Sequence, residues 1–349
     1  MAKLGVFQRT QTVLGKKTDV ENYIVLLFAL VLVIFPFVND TRSLLILLTQ
    51  IFIFAIFAMS YDILLGYTGI VSFGHAMFFG IGAYSTGIIM QKFSPTFLWL
   101  IVSIIVGIII SAIVSFIVGL LTLRLKSHFY AMLTLAFASL FLVAAEKWRT
   151  LTFGNDGFTF RIPEILRDRF IFYFVCLALM VLIFFLLKRF TNSPLGRVLM
   201  AIRENEQRVE SLGFIPLYYK IIASIVAGVT ASLAGSLYVL SLRFVNTSVF
   251  TMDTTLDALL MTIIGGVGTL LGPIIGSGII EFAHHWLSGL SSVHPIFERW
   301  IILFGILYIL VVLFFPAGIV GTIRNAFGNR KQTKNANVTK GMEKTDAAS

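Results

Sequence analysis

The chain of 349 residues is too apolar for a soluble protein, since hydrophobic residues make up 58% of it and charged residues 13%, against about 45–50% and about 25% in soluble domains. With a mean hydropathy of +0.93, this composition predicts an integral membrane protein. The formal net charge of +10 lies largely at the two chain ends and in no nucleic-acid-binding motif, so a nucleic-acid partner is not expected, and the single cysteine, Cys176, excludes an intrachain disulfide.

Apolar segments close to the length that crosses a bilayer, about 20 residues, recur along the chain. Lysines and arginines lie before the first and after the last, and the positive-inside rule therefore predicts that both termini are cytoplasmic. With both termini on the same side, the number of crossings must be even. Because the chain has nine candidate spans, one of them must be broken or re-entrant. The predicted spans are 23–38, 43–65, 70–90, 97–123, 129–145, 170–187, 221–242, 256–282 and 300–315.

The broken span is predicted at 256–282, where the stretch "IIGGVGTLLGPIIG" interrupts the apolar run. Glycine relaxes a helix and proline ends or kinks it. The residues expected at the break are Gly265, Gly266, Gly268, Gly272 and Pro273. The fold class predicted is an all-α, polytopic inner-membrane bundle of about 8–10 transmembrane segments with broken or re-entrant helices.

Small residues recur every four positions in three helices. Such faces let two helix backbones approach closely in lipid, and helix packing is the role we expect for them. The sets are Gly107, Ser111, Ser115 and Gly119; Ala227, Ala231 and Gly235; and Gly268, Gly272 and Gly276.

Ionisable residues within spans are costly and usually face a bundle interior or water. Asp62 and His75 are therefore candidates for lining a solute pathway, although a histidine bonded to its neighbours for structural reasons is an alternative. The glycines of "VSFGHAMFFGIGAY" indicate a broken or tightly packed helix beside them. The possible pathway residues are Asp62, Ser72, Gly74, His75, Tyr84 and Thr134.

The stretch "NSPLGRVLMAIRENEQRVESLG" predicts one amphipathic helix. Ser193 is placed to cap its start, Pro194 suits its first position, and Gly213 is placed to end it. Its apolar stripe includes Leu199, Ile202 and Val209, its charges are Arg203, Glu204, Glu206, Arg208 and Glu210, and Glu204 and Arg208 have the favourable i,i+4 order. The residues alone leave open whether this helix is a solvated face or a docking surface.

That stretch and the apolar run after it resemble the cytoplasmic loop and following span of ABC-transporter permeases of the branched-chain amino acid type, the LivM-like subunits. The resemblance extends to "VSFGHAMFFGIGAY", "LRLKSHFYAMLTLAF", "FGNDGF" and "IIGGVGTLLGPIIG", in this order along the chain. In "FGNDGF" one glycine usual in the family is missing.

The resemblance implies a permease subunit of an ATP-driven importer of branched-chain amino acids. Its implied partners are a related second permease, two cytoplasmic ATPase subunits that bind ATP and Mg²⁺, an extracytoplasmic binding protein and the lipid bilayer. The chain has no phosphate-loop motif, so no cofactor and no ATPase activity of its own are expected. The segment around residues 193–213, with Gly213 at its end, is then implied to be the helix that couples the ATPase to the bundle.

The domain organisation predicted is a basic cytoplasmic segment at 1–21, a permease domain at 22–323 with a coupling loop at 188–219, and a basic, disordered tail at 324–349. The resemblance places the chain in a bacterial or archaeal cell membrane. A permease for urea or another amide is an alternative, as is an ion-coupled secondary transporter with broken helices. No catalytic or metal-ligand spacing is present, which argues against a membrane enzyme and a metal site.

Overall fold

Long apolar helices dominate the computed structural model, which describes residues 30–37, 41–124, 127–290, 305, 309, 313 and 318–322. The elements are α1 (30–37), α2 (Arg42–Asp62), a π-helical turn (Ile63–Thr68), α3 (Ala76–Lys92), α4 (Phe97–Thr122), α5 (Ser127–Lys147), α6 (Arg149–Thr152), β1 (Phe158–Thr159), α7 (Arg169–Asn192), α8 (Pro194–Glu204), α9 (Glu206–Ser211), α10 (Pro216–Leu242), β2 (Phe244–Val245), α11 (Met252–Gly265) and α12 (Leu271–Leu290). The predicted all-α bundle is confirmed.

Five of the described helices are long and apolar enough to cross a membrane: Arg42–Thr68, Phe97–Thr122, Phe129–Lys147, Arg169–Asn192 and Pro216–Leu242. They overlap the spans predicted at 43–65, 97–123, 129–145, 170–187 and 221–242. The second half of the span predicted at 23–38 is α1, and its first half lies outside the described residues. The span predicted at 300–315 lies largely outside them, and the terminal segments 1–21 and 324–349 lie entirely outside them.

Two of the small-residue faces pack helices together. In α4 the Ser111 hydroxyl donates to the Gly228 carbonyl of α10 at 2.7 Å, and the Ser115 and Ser224 hydroxyls are 2.9 Å apart. A Cβ at Gly235 would collide with the Phe79 carbonyl of α3. The opposite face of α4 exposes Ile105, Ile109 and other large apolar side chains, as expected of a surface in lipid.

The span predicted at 256–282 is two antiparallel helices. α11 ends at Gly265 and α12 begins at Leu271, so the chain turns back at the glycines. A Cβ at Gly276 would collide with the Met261 carbonyl, which shows how closely the two helices pack. We call α11, the turn 266–270 and α12 the α11–α12 hairpin.

The span predicted at 70–90 begins later than expected. Residues 69–75 are not helical and lead back into the bundle before α3 starts at Ala76. The Ala76 amide donates to the Thr255 hydroxyl of α11 at 2.9 Å, which fixes the start of α3. The glycines after this start permit close packing, since a Cβ at Gly82 would meet the Ser232 carbonyl of α10.

The bundle has two ends of different character. Residues 193–215, with α8 and α9, form one end, which we call the α8 end. Strands β1 and β2 pair at the other end, which we call the β end. Helix α7 joins these ends over its 24 residues, a length of about 36 Å. The polar segments before and after α7 therefore lie on opposite sides of the apolar bundle.

Candidate functional site

The amphipathic segment is two short helices rather than the single helix predicted. α8 begins at Pro194 with the Ser193 hydroxyl accepting from the Gly196 amide at 3.3 Å, as the capping pattern indicated. It ends at Glu204, because Asn205 leaves the helical region and its side chain accepts from the Arg208 amide at 3.0 Å. Asparagine favours such local capping over a helix interior. α9 then ends before Gly213, whose φ is +86°.

The kink at Asn205 separates residues that were expected to pair. Glu204 closes α8 and Arg208 lies in α9, so their i,i+4 relationship along one helix is lost. Leu199, Ile202 and Val209 are buried, as expected of an apolar face packed on the bundle. The charged residues Glu204, Arg208 and Glu210 are exposed at the α8 end.

Arg203 is exposed, but its guanidinium reaches the bundle. Its Nη1 donates a hydrogen bond to the Gly66 carbonyl in the π-helical turn that follows α2. A Cβ at Gly69 would lie 3.1 Å from Arg203 Cγ, and one at Gly268 would lie 3.1 Å from Arg203 Nη1. One guanidinium therefore lies against both the turn after α2 and the turn of the α11–α12 hairpin.

Asp62 lies at the end of α2 and is fully buried. Its carboxylate accepts hydrogen bonds from the Gly268 amide at 2.7 Å and the Leu270 amide at 3.3 Å. A buried charge is costly unless hydrogen bonds or an opposite charge compensate it, and these amides and the nearby Arg203 guanidinium offset part of that cost. The side chain predicted to line a pathway thus holds the hairpin turn against α2.

The hairpin turn has a backbone that favours glycine. Gly266 and Gly268 have φ of +124° and +77°, values that side-chain-bearing residues rarely adopt. A Cβ at Gly265 would collide with the Gly272 carbonyl. Pro273 lies in the first turn of α12, where a missing amide costs little. The predicted break residues therefore gather at one turn.

Glu206 connects α9 to the bundle. Its carboxylate pairs with the Lys220 ammonium of α10 at 2.5 Å, and the Lys220 side chain is 10% exposed. Arg203 and Glu206, two of the charges predicted for the coupling surface, thus contact the chain's own bundle while remaining exposed.

Among the pathway candidates, Ser72, Gly74, His75 and Thr134 lie together near the start of α3. A Cβ at Gly74 would collide with the Thr134 carbonyl. His75 Nε2 and the Ser60 hydroxyl are 2.8 Å apart, and its ring is 5.5 Å from that of Phe57. His75 is fully buried and its Nδ1 has no hydrogen-bond partner in the described structure.

Tyr84 lies apart from these residues, further along α3. Its ring stacks on Phe250 at 5.3 Å and contacts the edge of Phe158 at 6.2 Å. Since Phe158 belongs to β1, Tyr84 faces the β end. The pathway candidates are thus distributed between the ends of the bundle, with Asp62 nearest to the α8 end.

At the β end, a cavity of about 330 Å³ is lined by Glu146, Lys147, Arg149, Asn155 and Asp156. The Asn155 amide oxygen accepts a hydrogen bond from the Thr247 hydroxyl at 3.3 Å. Both carboxylates and cationic side chains surround this opening, so it offers partners for both charges of a zwitterion.

Sequence reasoning missed Gly66, Lys220 and Ser60 as contributors. Gly66 follows Asp62 by one helical turn, and a Cβ there would collide with the Asp62 carboxylate. Because residues four apart on a helix are neighbours, a glycine four positions after an acid is a local sign that the acid is closely packed. Lys220 and Ser60 carry no such signal. Their partners Glu206 and His75 lie 14 and 15 positions away, and a non-helical segment separates the residues of each pair.

Comparison with known proteins identifies the family of the chain. Residues 43–314 match the family model described as branched-chain amino acid transport system, permease component. The LivM permease proteins of the high-affinity branched-chain amino acid transport systems of Salmonella typhimurium and Escherichia coli are each 25% identical over 305 residues, covering 79% of this chain and 69% of the relative. A probable LivM permease of Methanocaldococcus jannaschii is 25% identical over 315 residues, covering 77% of this chain and 90% of the relative. No solved structure matches.

Proposed function

Because the chain belongs to the family of branched-chain amino acid transport permeases, we propose that it is the membrane-spanning permease subunit of an ATP-binding cassette importer for branched-chain, hydrophobic amino acids. Its partners in this proposal are a related second permease, two cytoplasmic ATPase subunits and an extracytoplasmic binding protein. ATP and Mg²⁺ bind to the ATPase subunits, and this chain binds no cofactor. The assembly lies in a bacterial or archaeal cell membrane with both termini of this chain in the cytoplasm.

The observation that carries the proposal is the arrangement of α8 and α9. Their apolar residues Leu199 and Val209 are buried in the bundle, while Glu204, Arg208 and Glu210 remain exposed. An exposed charged surface on helices that are firmly attached to a membrane bundle suits a soluble partner that must move the bundle. This surface, defined by Glu204, Arg208 and Glu210, is the proposed ATPase contact.

The polar cavity at the β end supports entry of solute from the opposite side. Its mixture of Glu146 and Asp156 with Lys147 and Arg149 can accommodate the ammonium and carboxylate of a free amino acid. High affinity is not needed there, because the binding protein supplies it. Uptake of labelled leucine by the reconstituted complex tests the amino acid, and labelled urea tests the alternative amide solute.

The α11–α12 hairpin favours a second candidate, an ion-coupled secondary transporter, because such proteins use interrupted helices near their sites. The two candidates differ in their energy source. Uptake that requires ATP supports the importer. Uptake driven by a proton or sodium gradient without ATP would support the secondary transporter instead.

A further inference from the structure

We propose that Arg203 is a positioning residue that carries a displacement of α8 directly into the α11–α12 hairpin. The inference rests on the proposed function, in which an ATPase subunit moves α8. The contact lies inside this chain, so the effect of breaking it can be measured separately from transport.

Arg203 is attached to the part of the chain that an ATPase subunit would move. It lies one residue before the end of α8, next to Ile202, which is 4% exposed. Leu199 is fully buried on the same helix. Because Arg203 is itself a residue of α8, the base of its side chain moves with that helix.

The far end of the Arg203 side chain meets two turns that are remote in sequence. Its guanidinium donates to the Gly66 carbonyl, and a Cβ at Gly268 would lie 3.1 Å from both its Nη1 and the Gly66 carbonyl oxygen. A Cβ at Gly66 would lie 2.5 Å from the Gly268 amide nitrogen and 2.6 Å from Gly268 Cα. The two turns therefore touch backbone to backbone under the guanidinium.

The buried side chain of Asp62 also connects these two turns. Its carboxylate accepts from the amides of Gly268 and Leu270 at 2.7 and 3.3 Å, and it ends the helix that continues into the π-helical turn. Displacement of the Gly66 carbonyl by Arg203 therefore also displaces the carboxylate that holds the hairpin. Close-packed contacts of this kind transmit small shifts because they leave no space to absorb them.

The hairpin can respond to such a shift. It is connected to α3 by the Ala76 amide and the Thr255 hydroxyl, and α3 carries the residues near the predicted pathway. The route from α8 to the start of α3 thus passes through Arg203, Gly66, Gly268 and α11. A physical pathway requires a measured coupling rather than proximity alone, so the test measures coupling.

The experiment compares Arg203→Gln with Arg203→Lys and with the matched control Arg197→Gln, an exposed arginine of the same helix. Each variant is purified with its native permease, ATPase and binding-protein partners and reconstituted in vesicles. Leucine uptake and ATP hydrolysis are measured together, and hydrogen–deuterium exchange is followed at the amides of Gly268 and Leu270. Arg203→Lys keeps the charge but loses the planar donor group.

We expect Arg203→Gln to assemble and hydrolyse ATP, with leucine transported per ATP reduced about tenfold, the effect of losing one charged hydrogen bond. Exchange at Gly268 and Leu270 should rise by a similar factor, Arg203→Lys should be intermediate, and Arg197→Gln should match the wild type. An unchanged ratio and unchanged exchange in Arg203→Gln would overturn the inference, as would loss of ATPase binding, which would place Arg203 in the subunit interface. Failure of the wild type to couple uptake to ATP would overturn the proposed function instead, while the exchange measurement would still report on the Arg203 contact.

Discussion

The carboxylate of Asp62 accepts a hydrogen bond from the backbone amide of Gly268 at 2.7 Å, across 206 positions of sequence. This bond joins the end of α2 to the turn between α11 and α12. An acid that sequence reasoning assigned to a solute pathway therefore has a structural role in this state, beside the proposed coupling surface.

Replacing Asp62 with asparagine should destabilise the bundle. The amide side chain can accept at only one of its two positions, so one of the amides of Gly268 and Leu270 loses its partner, at a cost of about 1–3 kcal/mol. The midpoint of thermal unfolding in detergent should fall by several degrees. Asp253→Asn is the control, because Asp253 is exposed at the start of α11. Equal midpoints for the two variants would contradict the structural role of Asp62.

Two glycines of α12 should respond differently to alanine. At Gly276 the added Cβ would collide with the Met261 carbonyl, whereas at Gly278 the nearest atom beyond the helix is Ile51 Cγ2 at 3.9 Å. We expect Gly276→Ala to force α11 and α12 apart and to lower the yield of folded protein. Gly278→Ala should leave the unfolding midpoint unchanged or raise it, since alanine favours a helix over glycine by about 1 kcal/mol. Size-exclusion profiles and unfolding midpoints measure both, and similar behaviour of the two variants would argue against the close hairpin.

The exposed charges of α8 and α9 should matter for assembly but little for folding. Replacing Glu204 and Arg208 together with glutamine should weaken co-purification of the ATPase subunits, because both side chains belong to the proposed contact. The unfolding midpoint should stay within about 1 °C, since exposed charges contribute little stability. The control replaces Glu164 and Arg167, an exposed pair 3.9 Å apart before α7, at the β end. Unchanged assembly and unchanged solute-stimulated hydrolysis in the Glu204 and Arg208 variant would rule out this contact.

The pathway hypothesis predicts access that depends on the transport cycle. Ser72 and Thr134 are each 1% exposed, so cysteines placed there should be protected at rest. During ATP turnover we expect both to react with a membrane-impermeant thiol reagent added from outside. Ser103→Cys is the control, because Ser103 is fully buried in α4, and the native Cys176 is also fully buried. Protection of Ser72→Cys and Thr134→Cys throughout turnover would remove them from the pathway.

Hydropathy and helix-ending residues predicted much of this fold. The spans at 97–123 and 221–242 correspond to α4 and α10 because long apolar runs in lipid must satisfy their backbone within a helix. The glycines near residue 266 correctly indicated a break. They could not show that the break reverses the chain, because that depends on Asp62 and on packing between α11 and α12.

The prediction of a single helix was wrong for an identifiable reason. The helix predicted over 193–213 ignored Asn205, whose side chain competes with the helix by capping the next one. Arg203 and Glu206 are exposed members of the implied coupling segment, but each also contacts the bundle, which the sequence did not indicate. Their partners Gly66 and Lys220 lie 137 and 14 positions away, and periodicity within one segment carries no information about such contacts.

In the proposed importer, this chain transports solute only when ATPase subunits act on it. The direct measurement is uptake of labelled leucine into vesicles that contain the chain alone or the chain with its permease, ATPase and binding-protein partners, each with and without ATP. We expect accumulation only in the complete assembly supplied with ATP. Accumulation by the chain alone without nucleotide would contradict it.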